Sequence, residues 1–136
     1  NRKLGQLLVA REYANFAKWE RMETAQRTGN PNPPVIEHRA ALEEGLRIIH
    51  EGFFEPDGLY WESTFEVYQD ILRLLGMGQE FVVGEFDSAT GEMSPRTYLF
   101  ANPEDHAIYT ASVQKRLESY GETPEFTWDT ENQQAE

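Results

Sequence analysis

The stretch "FVVGEFDSATGEMSPRTYLFA", Phe81 to Ala101, decides how this chain folds. It reads as two strands and a turn in a sequence that is otherwise helical. Alternating runs flank "DSATGE", and Gly91 supplies the positive φ that the turn needs. With Asp87 opposite Glu92, one face carries Phe81, Val83, Arg96, Tyr98 and Phe100. The other carries Val82, Phe86, Met93, Thr97 and Leu99. Neither face is wholly polar, and a lone hairpin is marginal in water, so cover is expected. Pro95 blunts the edge of its own strand and leaves Glu80–Asp87 as the pairing edge. The only other strand candidate is "PEFTW", residues 124–128, where Phe126 and Trp128 alternate.

Outward from the hairpin, the pattern is helical. Residues 4–27 hold no proline and suit one long helix. Leu4, Leu8 and Trp19 lie on one side of it, and Val9, Tyr13 and Phe16 on another. A helix apolar on two sides is expected between two surfaces, one of them its own domain or a second subunit. "TGNPNPPV" stops it, and Asn32 with Pro33 or Pro34 is the expected start of a second helix running to about His50. Ser63 and Glu66 form a capping-box pattern ahead of a third helix, Thr64 to Leu75, which "GMG" ends. "NPEDH" opens a fourth, with His106, Tyr109 and Val113 on one face. The expected fold is α+β: about four α-helices packed with one antiparallel hairpin, residues 80–101, and a third short strand near 124–128. Residues 1–128 read as one domain and 129–136 as a disordered acidic tail.

Charge is unevenly spread. Residues 1–47 hold eight basic and six acidic side chains, whereas 48–136 hold four and eighteen, which gives the net −12. Such a field repels nucleic acid and anionic membrane and attracts basic proteins. There is no cysteine, which removes disulfides and thiol chemistry and suits a reducing, cytoplasmic setting. No apolar run approaches the roughly 20 residues of a membrane helix. The chain begins at Asn1, so trimming of the N-terminus is an open expectation.

The sequence offers little for chemistry. His38, His50 and His106 have no histidine three or four residues away, as a helical metal site would. "GMGQEF" lacks a third glycine and runs from helix to strand, the wrong order for a dinucleotide site. "DSATGE" lacks the alternating acids of a calcium loop. No cofactor is expected. The reading that follows is a non-enzymatic, acidic protein-binding module of the inhibitor, immunity or adaptor kind. Glu85, Asp87, Glu92, Glu104 and Asp105 would be its solvent-facing acids, and Tyr60, Trp61, Phe126 and Trp128 its aromatic anchors. A basic protein would be steered in by charge and held by aromatics. A homodimer through the first helix or the hairpin edge is also expected. An alternative is an enzyme or ligand binder with a pocket between helices and hairpin lined by His106, Glu104, Tyr109 and Arg96; a third is a structural or assembly protein.

Overall fold

A computed structural model describes residues 2–55, 61–87 and 89–119. Among them are four helices and one antiparallel two-stranded sheet, an α+β fold. The order is α1 (Arg2–Thr28), α2 (Arg39–Gly52), α3 (Trp61–Leu75), β1 (Gln79–Asp87), β2 (Glu92–Phe100) and α4 (Pro103–Ser119). The chain divides into two compact units, Asn1–Gln79 and Glu80–Glu136. The expected strand at 124–128 and tail at 129–136 lie outside the described residues. No described helix is long and apolar enough to cross a membrane.

The first unit packs α1, α2 and α3 pairwise. α1 is one uninterrupted helix about 40 Å long. It ends at Gly29, whose φ of 81° turns the chain away while its N–H bonds the Ala25 carbonyl at 2.9 Å. The packed face of α1 is neither of the two sides marked by its large apolar residues. Leu7, Ala10, Ala14 and Ala17 are buried instead, at spacings of three, four and three. Small side chains let helices approach closely. One close approach is at Gly45 of α2, where a Cβ would stand 3.1 Å from Ile71 Cδ1 and 3.7 Å from the Ala10 Cα.

α2 begins at Arg39, later than the prolines suggest, and Asn32 does not cap it. Its N-cap position is His38, which makes no side-chain cap bond of its own. The capping acceptor comes instead from α1, as described below. α3 begins at Trp61, so Ser63 lies inside the first turn rather than capping it. The reason is packing: Trp61 is buried, 5.5 Å from Phe54 and 5.4 Å from Phe65 between ring centroids. Phe54 and Tyr68 continue this aromatic cluster at 5.1 Å. Leu42, Ile49, Tyr68, Ile71 and Leu72 are fully buried and form the centre of the unit. At the C-terminus of α3, Gly76 (φ 69°) donates to Arg73 O and Met77 donates to Leu72 O, both at 3.1 Å. This paired closure satisfies two of the last carbonyls and leaves that of Leu74 for another donor.

In the second unit, Asp87 organises the hairpin turn. Its carbonyl accepts from Gly91 N–H at 2.7 Å and its carboxylate accepts from Ala89 N–H at 2.9 Å. The face with Phe81, Val83, Tyr98 and Phe100 is the covered one, and α4 covers it. Val83 and Phe100 are buried, His106 stacks on Phe81 at 4.5 Å, and Tyr109 meets Phe100 at 5.6 Å. On the other face Val82 stays exposed. Asn102 caps α4 by accepting Asp105 N–H at 2.8 Å, with Pro103 at the first helical position as the sequence indicates.

Candidate functional site

Glu20 on α1 is a buried carboxylate whose lone pairs are all engaged. It is 7 % exposed. One oxygen accepts from Ile36 N–H at 2.8 Å and Glu37 N–H at 3.0 Å. The other accepts from His38 N–H at 2.9 Å and lies 2.8 Å from His38 Nδ1. A carboxylate only accepts, so Nδ1 carries the proton. Three consecutive amides ahead of α2 thus converge on one side chain sixteen or more residues earlier. Burial pushes the Glu20 carboxyl up, but the amide of Ile36, the ring of His38 and the amides of Glu37 and His38 outweigh it and hold it at about 2.

Glu20, Glu37 and His38 also lie close enough for their ligand atoms to share an ion. The hydrogen bonds argue against that use. A carboxylate offers about four lone-pair directions, and Glu20 already receives four donors. A metal would have to displace backbone amides that start a helix. Glu20 is a structural clamp between α1 and α2.

The residues singled out in the sequence do different jobs. Trp61 and Asp105, expected at the surface, are buried. Trp61 belongs to the aromatic cluster. Asp105 shares the buried stripe of α4 with Tyr109 and Ser112, at spacings of four and three, which draws it inward. Glu85 receives Arg96 Nε at 3.1 Å and the Tyr98 hydroxyl at 3.0 Å. Burial, then the bond to Glu85, push the Tyr98 phenol up to about 12. Asp87 is exposed but tied into its turn, and Glu92 and Glu104 are exposed. Tyr60, Phe126 and Trp128 lie outside the described residues. His106 and Tyr109 meet around Phe100, and His106 Nε2 lies 3.3 Å from the Val82 carbonyl. Arg96 is engaged with Glu85, and Glu104 is not drawn into that group.

The sequence marks the large apolar side chains of α1 but not the alanine side that packs, and that packing leaves them as an outer row. Leu8, Val9, Phe16, Trp19 and Met22 are all exposed, Trp19 at 58 % and Phe16 at 50 %. Ile36, beside the Glu20 clamp, is 74 % exposed, and Phe16 stacks on His38 at 5.9 Å. The signal was present: alanines at 10, 14 and 17 mark the close-packed side and leave the large side chains on the far one. Half-exposed Phe16 and Trp19 alone leave on the order of 200 Å² in water. The whole row comes to roughly 500 Å², near the upper end for an ordinary monomer.

Comparison with known proteins returned no match: no family model, no curated protein and no solved structure.

Proposed function

We propose that the protein is a non-enzymatic, acidic protein-binding module that works as a homodimer joined through α1. Its exposed acids Asp87, Glu92 and Glu104 would then hold a basic partner. The observation that carries the pairing is the outer row of α1, five large apolar side chains exposed on a helix whose opposite face is already packed. Two such rows laid together would remove about 1,000 Å² from water, which reaches the lower bound for a specific interface. An antiparallel arrangement centred on Asn15 sets Leu8 against the second copy's Met22. It also sets Arg11 against the second copy's Trp19, a cation over an aromatic face. Antiparallel helix dipoles add to this rather than oppose it.

Sedimentation equilibrium tests the pairing. The wild-type chain should be a dimer at micromolar concentration, and Trp19→Glu should be a folded monomer. A wild type that stays monomeric up to about 100 μM refutes the pairing. The acidic docking face is tested separately by titrating a lysine-rich peptide at low salt and following amide signals. Movement centred on Glu92 and Glu104 supports it. Equal movement at Glu43, Glu62 and Glu66 of the first unit refutes a dedicated face.

A further inference from the structure

Between α1 and α3 lies a cleft of about 340 Å³ lined by Lys18, Arg21, Met22, Asp70, Arg73 and Leu74. Its charge balance runs against that of the whole chain. Three cations face it and one carboxylate does. Asp70 is shared, with Lys18 Nζ on one oxygen at 2.7 Å and Arg73 on the other at 2.8 Å. Arg21 has no carboxylate at all among the described residues. Its Nε donates to the Pro33 carbonyl at 3.0 Å, and a terminal nitrogen donates to the Leu74 carbonyl at 3.2 Å.

The second of these bonds explains why Arg21 stands there. Leu74 O is left over by the glycine closure of α3, at the negative end of the helix, and a guanidinium is a fitting cap. Capping does not exhaust it. A guanidinium has five N–H donors, and two neutral carbonyls occupy only part of the fork. Arg21 is half-buried, so its charge has given up water without gaining a counter-charge. Arg73 and Lys18 likewise keep donors beyond those spent on Asp70. The floor, Met22 and Leu74, is apolar. The cleft volume falls at the small end of the range for organic ligands.

We propose that this cleft binds a small organic oxyanion, with a carboxylate or phosphate head on the Arg21–Arg73–Lys18 cations and an apolar body on Met22 and Leu74. The head group completes the charge that Asp70 leaves unbalanced. Planar guanidinium forks match both kinds of oxyanion, so the cleft chemistry is common to the two. The site shares Met22 with the outer row of α1, but its cations, Lys18, Arg21 and Arg73, stand apart from that row.

The test is an NMR titration of the full chain with phenyl phosphate, benzoate, inorganic phosphate and benzyl alcohol. It follows the Nε–H signals of Arg21 and Arg73 and the amide of Leu74. Phenyl phosphate or benzoate should move these signals together and saturably, and the tighter of the two identifies the head group. Inorganic phosphate should bind more weakly than phenyl phosphate, and benzyl alcohol should not bind. Arg73→Gln should weaken binding about tenfold, the loss expected for one charge-assisted hydrogen bond. Arg73 is exposed and caps nothing, so this variant should keep its melting temperature. Arg21→Gln should weaken binding further, though it also removes the α3 cap. Absence of saturable shifts overturns the proposal. So does equal binding of benzyl alcohol, of inorganic phosphate, or of phenyl phosphate to Arg73→Gln.

Discussion

Replacing Glu20 with Gln changes one atom and should damage both stability and its dependence on pH. In the native chain, four donors converge on two carboxylate oxygens. Glutamine keeps one oxygen and turns an NH2 toward two of those donors. Each buried donor left unsatisfied costs about 1–3 kcal/mol, so Glu20→Gln should lose roughly 2–6 kcal/mol at pH 7. The same bonds show in the ionisation. The carboxyl is held at about 2 against an ordinary 4.5, a difference worth on the order of 3 kcal/mol. Because the folded value is depressed, the stabilisation is present in full above about pH 4.5 and is lost as pH falls through about 2. Urea unfolding of wild type and Glu20→Gln at pH 7, 4, 3 and 2.5 measures this. The gap between their midpoints should be widest at pH 7 and should narrow through the acid range. A carbon NMR titration should place the Glu20 carboxyl well below its neighbours. A Glu20 that titrates near 4.5, or a variant equal to wild type at pH 7, would refute the reading of this carboxylate as the anchor for α2.

Thr64 is fully buried and its hydroxyl has no hydrogen-bond partner among the described residues. Thr64→Val should therefore raise stability by about 1 kcal/mol, seen as a higher melting temperature. Gly45→Leu would drive a large side chain into the contact with Ile71 and Ala10 and should cost about 2–3 kcal/mol in urea unfolding, in spite of a better helix propensity. Tyr98, pushed up to about 12, should ionise late in a residue-resolved NMR titration, and Glu85→Gln should move it back toward 10. Since its folded value is raised, the stability Tyr98 contributes is complete below pH 10 and is lost as pH climbs through about 12.

The local signals were readable. "DSATGE" placed the turn, and Gly29, Gly76 and Asn102 placed helix ends, because each acts within a few residues of itself. The start of α2 was not readable from Asn32 and the prolines, because its cap is a side chain from the preceding helix. Trp61 shows the same limit. It looks like a surface anchor in sequence and becomes core because Phe54 and Phe65 close on it. The candidate cleft was hidden for a similar reason. Lys18, Arg21, Asp70 and Arg73 are unremarkable charges until α1 and α3 are laid side by side.

The sequence by itself determined which segments are helix and which are hairpin, and where most of them stop. Periodicity, proline and glycine act through the backbone nearby, and no distant contact is needed to read them. Only the tertiary structure decided which face of α1 is inside. Large apolar side chains argue for burial, yet three alanines let α1 come close to α2 and α3, and close approach gains more contact than bulk does. That choice leaves Phe16 and Trp19 in water and brings Glu20 to the amides just ahead of α2, two consequences that no single segment contains.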